Sequence, residues 1–189
     1  SDISNSPDIK KNIKGLADLA KQIGDPQVRH KGTIGGSVAN ADPAADYPAA
    51  VLALDGEIIT SAENHKATNF FVDMFETSLD SDEIITGIRL KIPNSSTYKK
   101  FRNPASGYAM VGVFMARYDN DVKIAVTGAS SSAYRMLDLE GSLKSNFNND
   151  IMADVDIDIT NFNDDIHASA KYRGTILKVL LEEAILELK

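Results

Sequence analysis

The chain of 189 residues carries 20 Lys and Arg against 27 Asp and Glu, a net charge of −7, and 43% hydrophobic residues. That is apolar content for one ordinary domain or two small ones sharing an interface, and the acidic balance argues against nucleic-acid binding. With no cysteine and three histidines, disulfides, thiolate metal sites, iron–sulfur ligation and cysteine nucleophiles are excluded within these residues, and redox chemistry falls to a bound organic cofactor.

In chain order, Ser6-Pro7-Asp8 reads as an N-cap, a first-turn proline and an acidic first turn. Ile9, Ile13, Leu16, Leu19 and Ile23 follow at helical spacing, so one helix is predicted, stopped by Gly24. Residues 27–40 are glycine-rich without apolar periodicity and predict a loop. Residues 44–54 predict a short helix of small residues ended by Asp55-Gly56, and residues 57–61 a strand. Phe70-Phe71-Val72 opens a short apolar turn or helix, and residues 83–92 form a β-branched strand ended by Pro93. The Pro93-Asn94-Ser95-Ser96 cluster is the best boundary and divides the chain into units 1–93 and 94–189.

Beyond it, residues 110–118 and 122–127 flank Asp119-Asn120-Asp121 and predict an antiparallel hairpin. Residues 130–133 and 146–150 read as loops. Val155, Ile157 and Ile159 alternate with Asp156 and Asp158, which suits an edge strand or an acidic loop. Ile176, Leu177, Val179, Leu180, Ala184, Ile185 and Leu188 mark a C-terminal helix beginning near Ala168. The fold class is α+β. No run of ~18 apolar residues could span a membrane as a helix, and the polar N-terminal residues do not read as a signal peptide.

The segment 27–46 carries the chemistry. Gly32, Gly35 and Gly36, with small hydroxyl and amide side chains after them, let backbone N–H groups approach a ligand in a concave nest that favours phosphate. Thr33 and Ser37 offer hydroxyls, Asn40 an amide, and Arg29, His30 and Lys31 positive character upstream. The spacing is neither a P-loop nor a G-x-G-x-x-G fingerprint, so on the residues alone a plain tight turn and a phosphate cradle both stay open.

As a whole, Arg29 and the run Gly32-Thr33-Ile34-Gly35-Gly36-Ser37, with Ala41, Pro43 and Asp46 after it, resembles the second FAD-contacting loop of molybdenum-hydroxylase flavoproteins. These are the medium subunit of aerobic carbon monoxide dehydrogenase and the FAD domain of xanthine dehydrogenase. Glu83-Ile84-Ile85-Thr86-Gly87-Ile88, Tyr98-Lys99-Lys100-Phe101, Gly107-Tyr108-Ala109-Met110-Val111-Gly112-Val113 and a C-terminal Ala170-Lys171-Tyr172-Arg173 extend the resemblance over nearly the whole chain.

The resemblance implies the second FAD-binding subdomain followed by a small antiparallel sheet with flanking helices. It implies Thr33, Ile34, Gly35, Gly36 and Ser37 at the FAD pyrophosphate with Asn40 nearby, and Asp46 at the ribose or adenosine side. It places Ile85 in the flavin or adenine pocket, Lys100 or its neighbour Lys99 toward the flavin ring, and Tyr108 beside the isoalloxazine. It further implies a cytoplasmic electron-transfer subunit that passes electrons from an iron–sulfur subunit, served by a molybdenum-cofactor subunit, through FAD to an external acceptor. No catalytic acid or base and no metal site is expected here. Family members also carry an Ala-Gly-Gly loop on a preceding subdomain, for which this sequence shows no counterpart. The other half of the clamp is therefore expected on a separate polypeptide, outside a fragment, or lost. The alternative is a non-flavin structural or assembly subunit that keeps the docking surface.

Other residues have plainer readings. Tyr172 and Arg173 are expected to be structural, His65 and His167 to lie on the surface, and Ser130-Ser131-Ser132 to be loop rather than an activated nucleophile. Lys10, Lys11 and Lys14 form the solvated face of the first helix.

Overall fold

The computed structural model describes residues 2–189, and its first part is helical. Helix α1 (Asp2–Asn5) leads into α2 (Pro7–Asn12), where the Ser6 hydroxyl accepts from the Ile9 N–H at 3.3 Å, the cap the sequence predicts. The expected single helix is broken at Ile13, with φ −141° and ψ 66°, before α3 (Lys14–Gln22). The break lets Ile13 bury with Leu16 and Leu19 in one core.

Residues 27–40 are not a loop. They form α4 (Pro26–Lys31) and α5 (Ile34–Asn40). Caps drive both helices where apolar periodicity is lacking: the Asp25 carboxylate accepts from the Val28 N–H at 2.9 Å ahead of Pro26, and the Thr33 hydroxyl accepts from the Gly36 N–H at 2.9 Å. Helix α6 (Tyr47–Ala53) follows, with Pro48 in its first turn and Ala49 to Ala53 buried.

Strands β1 (Glu57–Thr60), β2 (Asn64–Lys66) and β5 (Ile85–Arg89) pair antiparallel in the order β2-β1-β5. A two-stranded ribbon, β3 (Phe71–Asp73) with β4 (Glu76–Thr77), stands where a turn or helix is expected after Phe70. The Phe70 ring buries completely after a 3-10 turn (Ala67–Asn69), and the chain leaves it extended.

The main sheet is an antiparallel meander of β6 (Ser95–Arg102), β7 (Ala109–Tyr118), β8 (Asp121–Thr127) and β9 (Tyr134–Arg135), including the predicted hairpin. Helix α7 (Leu137–Ser145) has no counterpart among the sequence expectations, and α8 (Ala170–Leu188) is the predicted C-terminal helix, capped by Ser169. Both faces of the sheet are covered. Phe114, Ala116 and Ala125 pack into the core of α3 and α6, whereas Val111, Val113, Met115, Ile124 and Val126 pack into that of α7 and α8. A strand buried on both faces reads as a continuous apolar run, as β7 does. The first core thus joins residues before and after position 94.

Helix α3 meets β6 at close range. The Gly15 N–H donates to the Ser96 hydroxyl at 3.0 Å, and a Cβ at Gly15 would stand 2.9 Å from the Thr97 nitrogen. Gly15→Val is expected to lower stability by about 2 kcal/mol through overpacking, read as an earlier urea midpoint at unchanged slope.

Residues 155–165 form the acidic loop rather than the edge strand. Val155 and Ile157 turn inward against the second core, the aspartates between them face solvent, and the backbone pairing is an isolated bridge from Ser130 to Phe162. Arg173, expected to be structural, is: it is 4% exposed and donates to the carbonyls of Met110, Gly128 and Asn163 at 2.7, 2.9 and 3.0 Å and to the Asp165 carboxylate at 2.7 Å. It ties α8 to the main sheet and to the acidic loop.

Candidate functional site

A cleft of about 480 Å³ opens between the end of α3, helices α4 and α5, the start of α6 and the β6–β7 connection. Thr33, Gly36, Ser37, Asn40, Asp46 and Tyr108 line it together, although they span more than seventy positions of sequence. Apolar wall comes from Ala20, Ile23, Val28 and Ala45. Arg29 and Lys31 bring positive charge to the same rim, Arg29 also donating to the Ile23 carbonyl at 2.7 Å. The first-turn amides of α5 have no helical carbonyl before them, and that of Gly36 donates to the Thr33 hydroxyl instead. Tyr47 lies in the cleft, its phenol pushed up to about 12 by burial and by Asp46.

Tyr108 is presented by a built loop. The Asn103 side chain accepts from the N–H groups of Ala105 and Ser106, and Gly107, at φ +74°, turns the chain where a Cβ would come 3.3 Å from Gly24. The Tyr108 ring is left 47% exposed at the cleft edge.

The remaining expected site residues lie behind this surface. Ile34 and Ile85 pack against the first core, and a Cβ at Gly35 would meet Ile85 at 3.6 Å, so these three back the first turn of α5. The Lys100 side chain is 1% exposed; its ammonium lies 2.9 Å from one Asp46 carboxylate oxygen and donates to the other at 3.0 Å and to the Gln22 carbonyl at 3.2 Å. Lys99 turns to Glu187 at 2.6 Å. Asp46 is itself 4% exposed and also accepts from the Tyr98 hydroxyl. Burial pushes its carboxyl up, while Lys100 and Tyr98 pull the other way. Val28 and Tyr47 were not singled out from the sequence, and Tyr98 stood only as part of the Lys100 motif with no role of its own; an apolar residue inside a capped helix and an aromatic next to Asp46 were the available signals.

His65, expected on the surface, is instead largely enclosed. Its Nε2 lies 2.9 Å from a Glu83 carboxylate oxygen, its Nδ1 lies 3.2 Å from the Ser78 hydroxyl, and its ring meets Phe70 edge-on. The hydroxyl of Thr60, then His65, hold the Glu83 carboxyl down to about 2 from an ordinary 4.5. A carboxyl depressed on folding contributes stability above its unfolded value and loses it as pH falls through the folded one. Acid destabilisation from this cluster is therefore expected between pH 4.5 and about 2, and Thr60→Val is expected to raise the Glu83 midpoint in a carboxyl NMR titration. His167 is exposed, as expected. Among the described residues no group of three or more His, Asp or Glu side chains could hold a metal ion, and no helix is long and apolar enough to cross a membrane.

Residues 1–95 match the family model described as FAD binding domain in molybdopterin dehydrogenase. The chain is 34% identical over 98% of its length to the nicotine 6-hydroxylase medium subunit of Paenarthrobacter nicotinovorans, of which it covers 70%. It is 31% identical, again over 98%, to the glyceraldehyde dehydrogenase medium chain of Sulfolobus acidocaldarius, covering 72% of that protein. Among solved structures, reconstituted CO dehydrogenase from Oligotropha carboxidovorans has the same fold, with a TM-score of 0.86 at 20% identity over 97% of this chain and 70% of that one. The chain belongs to the FAD-binding family of molybdopterin dehydrogenases. It is an oxidoreductase component of the medium-subunit type, with the α+β fold of that subunit.

The cleft fits such a cofactor. Its volume lies in the ordinary range for organic ligands, it pairs an apolar wall with convergent hydroxyls and amides, and Gly36 leaves open a place that a Cβ, at 3.0 Å from the Thr33 hydroxyl, would fill.

Proposed function

We propose that this chain holds FAD in the α4–α5 cleft and relays electrons from an iron–sulfur partner subunit to an external acceptor. The observation that carries the reading is the convergence of Thr33, Gly36, Ser37, Asn40, Asp46 and Tyr108 on one cleft. The pyrophosphate lies against Thr33, Gly36 and Ser37, with Ile34, Gly35 and Ile85 as rigid backing, Asn40 beside it and the positive charges of Arg29 and Lys31 at the rim. Tyr108 flanks the ring system, and Asp46 with Lys100 forms the wall beneath.

FAD supplies the capacity to take up and release electrons singly or in pairs. This chain's own residues bind, orient and shield it, and no side chain acts as acid or base on substrate. Residues 1–93 carry most of the cleft, and residues 94–189 contribute the Tyr108 loop and the surfaces that meet the iron–sulfur and molybdenum-cofactor subunits of a cytoplasmic complex. An FAD subdomain of the kind that family members carry completes the clamp. One observation favours the alternative of a subunit without flavin: the Asp46 carboxylate and Lys100 ammonium already satisfy each other within the chain.

A chain that takes up no FAD supports the alternative; for a chain that does, mixing it FAD-loaded with a reduced iron–sulfur partner tests the electron relay. Loss of the flavin's visible absorption on mixing is the expected result. A chain that binds the partner but shows no flavin bleaching overturns the electron-relay reading.

A further inference from the structure

Tyr98 is fully enclosed beneath the cleft, 4% exposed on β6 and beside Phe114 with ring centroids 6.3 Å apart. A phenylalanine would fill the same apolar space, so the hydroxyl is the chemical content of a tyrosine here, and a buried hydroxyl is costly unless paired. It donates to Asp46. Space for it is provided across the ladder, where Gly112 on β7 pairs with Lys100 and a Cβ at Gly112 would collide with the Tyr98 hydroxyl.

Asp46 is the junction. It lines the cleft immediately before α6, and it receives Tyr98 and Lys100 from β6. Lys100 in turn donates to Gln22, the last residue of α3, next to the cleft residues Ile23 and Gly24. One hydrogen-bonded cluster therefore ties two of the elements that shape the cleft wall, the end of α3 and the start of α6, to β6 behind them.

We propose that the Tyr98 hydroxyl is a positioning residue for the cofactor cleft: by donating to Asp46 it fixes the carboxylate that Lys100 shares, and so sets the charge and shape of the wall against which the cofactor binds. Tyr98 touches no cofactor and acts through Asp46. Without the hydroxyl, Lys100 still neutralises the carboxylate and the apolar ring still fills the core. The fold is retained, and the carboxylate, the ammonium and the α3 end they hold shift together. The inference rests on the flavin reading.

The test is a titration of FAD fluorescence quenching with the 189-residue chain, as wild type, Tyr98→Phe and Gly112→Ala, together with the visible spectrum of the bound flavin. Loss of one hydrogen bond to a charged group predicts an increase in Kd of about tenfold for Tyr98→Phe and a displaced flavin absorption band. Gly112→Ala keeps the hydroxyl but pushes it from Asp46, so the same two changes are expected and stand in for Tyr98→Phe if that variant does not fold. A merely structural role lowers the fraction of sites filled while the Kd and the band of the filled sites stay at their wild-type values, and that result overturns the proposal. The titration is run with a separately produced first FAD subdomain where the chain alone takes up no FAD, and wild type without FAD binding in either preparation overturns the flavin reading and this inference with it.

Discussion

Gly36→Val is expected to abolish FAD binding, raising Kd by about 100-fold or more, while leaving the sheets and both cores intact. Gly36 lies in the first turn of α5, lines the cleft and is exposed, so no core contact depends on it. Its N–H caps onto the Thr33 hydroxyl, and a Cβ would stand 3.0 Å from that same oxygen. A branched side chain forces the hydroxyl aside, costing about 1 kcal/mol of cap, and also fills the place where backbone must approach the ligand. Gly36→Ala carries the cap displacement without the branch and is expected to weaken binding by about tenfold. Flavin fluorescence titration checks both, with far-UV circular dichroism as the control on fold. Unaltered affinity in the valine variant contradicts the site.

The second large effect is on stability. Arg173→Met is expected to cost about 3 kcal/mol and lower Tm by about 6–12 °C for a chain of this size. The loss does not come mainly from the ion pair, because the Asp165 side chain is 43% exposed and water screens it. It comes from the Met110, Gly128 and Asn163 carbonyls, which lose their donor at the place where α8 meets the main sheet. Arg173→Lys is expected to recover little, since one ammonium cannot reach the carbonyls that the guanidinium fork serves at once. A scanning-calorimetry midpoint within 2 °C of wild type for Arg173→Met would show that these contacts contribute little.

Where local chemistry alone decides, the sequence was readable. Ser6-Pro7 starts a helix because the cap and the fixed φ act within one turn, and Asp119-Asn120-Asp121 is the polar turn between two largely apolar runs that pair as a hairpin. The break at Ile13 was not readable, because it follows from packing of α3 on β6, residues more than eighty positions away. Helices α4 and α5 were missed for a different reason. Their signals were caps, Asp25-Pro26 and Thr33 with Gly36, and these were outweighed by the absence of apolar periodicity in a segment whose inner face is small and whose outer face lines a cleft. Helix α7 carries Gly141 and little apolar pattern, and it is anchored by Glu140, which accepts from Arg135 and from the Ile124 N–H.

The site divides in the same way. Thr33, Gly36, Ser37, Asn40, Asp46 and Tyr108 were legible through a family motif, and the fold brings them to one cleft. Which of the motif residues face that cleft was not legible. Gly35 and Gly36 are neighbours in sequence, yet a helical turn sends one toward Ile85 and the other toward the opening. Lys100 and Asp46 carry charge that a sequence reader assigns outward to a ligand, whereas burial turns them on each other and on Tyr98.

The central claim is that the α4–α5 cleft is an FAD site, and the visible absorption spectrum of the purified chain tests it most directly. The chain is incubated with FAD, alone and with a separately produced first FAD subdomain, and passed through a desalting column. Retained flavin absorption at one FAD per chain in at least one of the two preparations, lost in Gly36→Val, is the predicted result. A colourless eluate from both wild-type preparations contradicts the account.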